Sequence, residues 1–246
     1  MKKKNCSSIM GTILLAGTTG LLCLVPLFLS GQADEEGVYR QLRENMVRNQ
    51  IEARGVGDPL VLQAMRSVPR HLFVPVQQRR FAYGDYPLPI GDDQTISQPY
   101  IVALMTELLG VQPGDRILEI GTGSGYQAAV LAEITSEVYS IEIIPDLARQ
   151  ASQKLEKLGY EHVRVRSGDG YMGWEENAPY DGIIITAATE EIPSPLFEQL
   201  KENGRMVLPL GDPKGSQTLA VVTKENGKRK IRWISGVRFV PLTRKK

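Results

Sequence analysis

Residues 117–125 read Ile-Leu-Glu-Ile-Gly-Thr-Gly-Ser-Gly, and this run limits the fold more than any other segment. An apolar-rich stretch suited to a buried strand runs into three alternating glycines, and a helix-compatible stretch follows to residue 134. Glycines in a strand-to-helix turn let a ligand approach the main chain and meet the free N–H groups of the helix N-terminus. Glu142 ends the next apolar run, 21 residues past Gly121. That is where nucleoside sites place an acceptor for the ribose diol. Together these residues point to a nucleoside-containing cofactor.

The surrounding pattern agrees. Strands are expected at 116–120, 138–143, 163–167, 181–186, 205–210, 218–223 and 230–234, with helices near 124–134, 145–158 and 194–202 between the earlier ones. Pro145 suits a helix start, and Gly159 and Gly204 suit helix ends. Continuous apolar runs such as Ile183-Ile184-Ile185 suit strands buried on both faces. The expectation is an α/β fold with a doubly wound, mostly parallel sheet. The last two strands lack a crossover and should form an antiparallel hairpin around Glu225-Asn226-Gly227. Ahead of the sheet, residues 36–54 read as an amphipathic helix. Asp58-Pro59 opens another, which Val68-Pro69 ends. Residues 69–97, rich in Pro, Gly and aromatics, read as a long functional loop. Ser97 stands where the N-cap of a helix through Leu109 belongs, with Gly110 as its stop.

The first 33 residues differ from the rest. Lys2, Lys3 and Lys4 precede an uncharged apolar run, residues 9–29, and Gly31-Gln32-Ala33 suits signal cleavage after Ala33. The run exceeds the roughly 7–15 residues of a usual signal core and could span a bilayer of ~30 Å. A cleaved signal, an uncleaved anchor and a true start at Met46 all remain open, so export or anchoring stands against a cytoplasmic location. Residues 34–246 then form a single domain. Its parts are 34–110, helices and substrate loop, and 111–246, the cofactor-binding sheet. Both cysteines, Cys6 and Cys23, fall in the leader, which removes thiol chemistry from the domain. With two histidines in the chain, no metal site is expected. A net charge of +1 gives no footprint for nucleic acid.

Glycine spacing narrows the cofactor. A dinucleotide fold wants G-x-G-x-x-G, whereas Tyr126 occupies the third-glycine slot here and Glu119 precedes the first glycine by two. A carboxylate there favours a sulfonium or an amino-acid ammonium over a pyrophosphate. The pattern E-x-G-x-G-x-G followed by Glu142 resembles motif I of class I S-adenosylmethionine-dependent methyltransferases. Gly168-Asp169-Gly170 follows the third strand, where that family places an acid near the adenine amine. The resemblance implies a Rossmann-like sheet and makes Glu119, Gly121, Gly123, Gly125, Glu142 and Asp169 the cofactor-binding candidates.

A second resemblance is more specific. Tyr86 to Tyr100, reading Y-P-L-P-I-G-D-D-Q-T-I-S-Q-P-Y, is similar to the signature of the protein-L-isoaspartate O-methyltransferases. Val68 to Pro75 (V-P-R-H-L-F-V-P) and Val237 to Leu242 (V-R-F-V-P-L) resemble that family too, so the likeness spans about residues 44 to 243. One departure is Asp93, where the family often has Gly. The resemblance implies methyl transfer from S-adenosylmethionine to the free carboxylate of L-isoaspartyl residues in damaged proteins, then closure to a succinimide and repair. It implies Ser97 as the catalytic group and Thr95, Ser97 and Val237 as substrate contacts. Ser97 could instead serve as the helix cap. The carboxylate acceptor, with pKa ~4, needs no general base. Trp174 and Trp233 read as packing residues, and a monomer is expected. Two rivals stay open: a methyltransferase with another acceptor, and a non-catalytic nucleoside-binding module.

Overall fold

The computed structural model describes residues 25–244, with side chains from residue 35 onward. Most of the leader, residues 1–24, lies outside the described residues. Among the described residues, no helix is long and apolar enough to cross a membrane. Tyr39–Lys246 forms one compact unit, and the chain up to Val38 belongs to another.

Helix α1 (Val25–Met46) runs past the expected cleavage point after Ala33. The amphipathic helix expected at 36–54 is helical throughout but not uniformly α. Val47–Ile51 forms a π turn and Glu52–Arg54 a 3-10 turn, and Gly55 ends the run at φ +92°. Val47 and Ile51, four apart, are both fully buried. Helix α2 (Pro59–Ser67) starts as expected: Asp58 caps it, accepting from Leu60 N at 2.8 Å, and Pro59 sits in the first turn.

Residues 69–97 are not a featureless loop. Two 3-10 turns, Arg70–Phe73 and Val76–Phe81, precede a small antiparallel hairpin of β1 (Leu88–Gly91) and β2 (Gln94–Ile96). Leu88 and Ile96 are its buried pair, an alternation that Pro89 and Gly91 mask in the sequence. Asp92 (φ +50°) and Asp93 (φ +56°) make the turn. Aspartate tolerates this left-handed region at a cost glycine avoids. Asp93→Gly is therefore expected to raise stability by about 0.5–1 kcal/mol without changing kcat, as read by thermal melts and steady-state kinetics.

Helix α3 (Pro99–Leu109) corrects the capping expectation. Its N-cap is Gln98, not Ser97, because Pro99 takes the first helical position. The Ser97 hydroxyl is thus not spent on a cap. Strands β3 (Arg116–Ile120), β4 (Glu137–Glu142), β5 (Arg164–Ser167) and β6 (Tyr180–Ile185) alternate with α4 (Tyr126–Ala132) and α5 (Pro145–Lys157). Helix α6 (Ser194–Glu198) is shorter than expected, since β7 (Leu200–Gly211) already begins where Leu200 pairs with Tyr180. Gly204 is no helix end: it lies in β7, and a Cβ there would sit 2.9 Å from Asp181 O. β8 (Gln217–Glu225) and β9 (Lys228–Val237) form the expected terminal hairpin.

The seven-stranded sheet runs β5-β4-β3-β6-β7-β8-β9, parallel through β7 and antiparallel beyond. Strand order reverses between β3 and β6, which opens a crevice at their C-terminal ends. Side-chain alternation divides the apolar residues between the two faces. Ile117 and Ile184 join one core, whereas Leu118, Ile120, Ile183 and Ile185 join the other. Trp174 packs against the second core and under the Arg166 guanidinium, as expected. Trp233 does not pack: on edge strand β9 it is 56% exposed.

Candidate active site

Three cavities meet at the β3/β6 crevice. The first holds about 60 Å³ and is walled by Gly121, Gly123, Glu142, Gly170 and the C-terminal segment 240–243. The second is small and touches Ser97, Gly121, Gly123, Tyr126 and Gln127. The third is an open cleft of about 860 Å³ lined by Ser97, Tyr100, Val237 and Phe239 among others. Thr95 and Thr186 line all three.

The glycine loop is built for close approach. Gly121 has φ +96°, and an added Cβ would stand 2.5 Å from Thr186 Oγ1. That hydroxyl shares its one proton between Gly121 O at 2.8 Å and Ile120 O at 3.0 Å, pinning the loop across the crevice. Gly123, at φ +52°, also faces the pocket. Gly125 does not. It caps α4 at φ +88°, and a Cβ there would touch Leu155 and Ala151 of α5. Its role in this geometry is packing.

Glu142 lies at the buried edge of the first cavity and is 5% exposed. Its oxygens accept from Gly123 N at 2.8 Å and Ile144 N at 3.0 Å. Each carboxylate oxygen has a second lone pair, so the group stays open to further hydroxyl donors. Asp169 stands beside the cavity rather than in its wall, where Gly170 is the contact. One Asp169 oxygen accepts from Tyr171 N at 3.0 Å, and the other lies 3.5 Å from Arg244 Nε.

Glu119 is placed differently from the expectation of a carboxylate facing a cation. It is fully buried and absent from all three cavity walls. The Ser140 hydroxyl donates to Glu119 Oε2, and Thr122 Oγ1 lies 2.6 Å from Ser140 Oγ. Among the described residues, Glu119 Oε1 has no hydrogen-bond partner. Burial pushes its carboxyl up to about 8, opposed by the Ser140 hydroxyl and reinforced by the Glu142 charge. The raised carboxyl and the Ser140 and Thr122 hydroxyls together brace the glycine loop.

The family model described as Protein-L-isoaspartate(D-aspartate) O-methyltransferase matches residues 40–246. The chain belongs to this family. A protein-L-isoaspartate O-methyltransferase of Opitutus terrae is 54% identical over 226 residues, covering 92% of this chain and 97% of the relative. That of Gloeobacter violaceus is 56% identical over 201 residues, covering 82% and 98%. A Plasmodium falciparum beta-aspartate methyltransferase, solved in complex with S-adenosyl-L-homocysteine, is 26% identical with a TM-score of 0.72, covering 82% of this chain and 99% of that one.

Within this isoaspartate methyltransferase fold, the substrate candidates Thr95, Ser97 and Val237 share the open cleft, and Gly121, Gly123 and Glu142 share the adjoining pocket. Thr186 is the residue that sequence reading missed. The signal was its place directly after the apolar run of β6, since ligands in such sheets bind beyond the strand ends at the reversal point.

Proposed function

We infer that this protein transfers a methyl group from S-adenosylmethionine to the free carboxylate of L-isoaspartyl residues in damaged proteins and peptides. One observation carries the reading: Thr95 and Ser97 stand where an open, peptide-sized cleft meets the pocket of the glycine loop. The positive-φ glycines and the buried Glu142 suit a nucleoside ligand, and the family's relatives carry the activity in their names.

S-adenosylmethionine, held in that pocket, supplies an activated methyl on a sulfonium. Glu142 would accept the ribose hydroxyls, Gly121 and Gly123 would let the main chain close on the ligand, and Asp169 would sit near the base. The acceptor carboxylate is ionised at neutral pH, so no side chain has to remove a proton. The remaining task is alignment, which contributes up to roughly 7–11 kcal/mol in well-oriented systems. Ser97, free of capping duty, would donate to the acceptor carboxylate and fix its orientation. Thr95 closes the junction between the two sites, and Val237 flanks the peptide. Desolvating the carboxylate without such donors would cost as much as alignment gains.

Ser97→Ala is expected to lower kcat by about 10- to 100-fold, or ~1.4–2.8 kcal/mol of barrier, with cofactor affinity unchanged. A fall in cofactor affinity with kcat intact would move Ser97 out of the substrate site. The reading itself is tested by the form of the product. An isoaspartyl peptide given methyl-labelled S-adenosylmethionine should gain a base-labile ester that decays to a succinimide. A base-stable label would assign another acceptor.

We also propose that residues 1–33 direct the chain to or across a membrane, with residues 9–29 as its membrane contact. Cell fractionation with N-terminal sequencing tests this. A mature start at Asp34, or an intact chain in the membrane fraction, supports it. A soluble chain starting at Met46 overturns it.

A further inference from the structure

The tetrapeptide Lys-Glu-Asn-Gly occurs twice, at residues 201–204 and 224–227. Identical local sequence sits in two different surroundings. In the first copy Asn203 (φ +63°) is exposed, but Gly204 is buried in β7, where an added Cβ would stand 2.9 Å from Asp181 O and from Lys201 O. In the second copy Asn226 (φ +52°) and Gly227 (φ +71°) are both exposed at the β8–β9 turn, and a Cβ at Gly227 would meet nothing within 4 Å. Asn-Gly is chemically labile because the glycine nitrogen, unhindered by a side chain, can reach the asparagine side-chain carbonyl.

One side chain stands against that reaction. Glu202, on neighbouring β7, accepts from Asn226 N through one oxygen and from Gly227 N at 3.2 Å through the other. We propose that Asn226 is a deamidation site of this chain and that Glu202 holds it in check. Two effects combine. A single carboxylate gripping consecutive N–H groups fixes both peptide planes and keeps the Gly227 nitrogen from swinging onto Asn226 Cγ. Its negative charge also disfavours the amide anion that must form for attack.

When the grip is lost, the Gly227 nitrogen gives up its proton and bonds to Asn226 Cγ. The Cγ–Nδ2 bond breaks, ammonia leaves, and a five-membered imide remains. Water then opens the imide at either carbonyl, giving aspartate or isoaspartate at 226. Isoaspartate adds one carbon to the main chain of a two-residue turn and a carboxylate beside Glu202 and Glu225. The Glu225–Lys228 pairing that closes β8 onto β9 would not survive this. Because β9 ends in Val237 at the substrate cleft, damage at the turn acts on a strand the site depends on.

The full chain, Glu202→Ala and Glu202→Gln are aged at neutral pH and mapped by peptide mass spectrometry, with circular dichroism confirming the fold. The readout needs no methyl transfer, so it stands apart from the proposed activity. Conversion at Asn226 should run several-fold faster in Glu202→Ala than in the native chain. Glu202→Gln, which has one accepting oxygen and no charge, should fall between. Asn203 should lag Asn226 in every protein. Equal rates at Asn226 in all three, or faster conversion at Asn203, would overturn the proposal.

Discussion

Gly121→Val is expected to weaken S-adenosylhomocysteine binding by at least about 100-fold, or ~2.8 kcal/mol. Two costs act together. A β-branched residue at φ +96° is strained wherever it sits. Its Cβ would also lie 2.5 Å from Thr186 Oγ1, the hydroxyl that pins Ile120 O and Gly121 O across the crevice. Relief requires the loop to move off Thr186, which removes the surface the ligand rests on. Gly125→Ala is the contrast. Gly125 faces Leu155 and Ala151 rather than the pocket, so its substitution should lower the melting temperature while the folded protein keeps its affinity. Calorimetry on both variants separates the roles, and near-native affinity in Gly121→Val would show that the loop does not form the site.

The second large effect concerns Glu119. Burial holds its carboxyl near 8, whereas in the unfolded chain it returns to about 4.5. Between those values the folded protein keeps a proton that the unfolded chain has released. Stability contributed by this site therefore falls as pH rises from about 4.5 to about 8, then levels off. Glu119→Gln mimics the protonated acid: its carbonyl accepts from Ser140, and its shape leaves the Ser140–Thr122 brace in place. The variant is expected to lose that slope and to exceed the native protein at pH 9 by a few kcal/mol, on the order of the linkage for a shift of this size. Urea unfolding from pH 5 to 9 reads it directly. Parallel curves for the two proteins would mean that Glu119 is charged in the fold.

The sheet and the glycine loop were legible because their signals are local. Apolar runs, glycine spacing and helix-start prolines each act within a few residues. β3 runs from Arg116 to Ile120, as its pattern predicts. What stayed hidden depends on partners distant in sequence. Thr186 matters because β6 lies beside β3, 66 residues away along the chain from Ile120. The spacing of Glu119 to Gly121 is visible in the sequence, while its hydrogen bond to Ser140, 21 residues away, is not. Ser97 is a different case, since Pro99 already marked the first helical turn and so made Gln98 the cap. The β1–β2 hairpin was obscured by Pro89 and Gly91, which break an alternation that Leu88 and Ile96 keep.

Two peptides of identical sequence, one with L-isoaspartate and one with ordinary aspartate, are compared as methyl acceptors for the full chain. In the proposed function the cleft would take the free α-carboxylate of the isoaspartyl residue and align it at the Thr95–Ser97 junction. Methyl ester should therefore form on the isoaspartyl peptide alone. Equal labelling of both peptides, or labelling of neither by a protein that still binds S-adenosylhomocysteine, would contradict it.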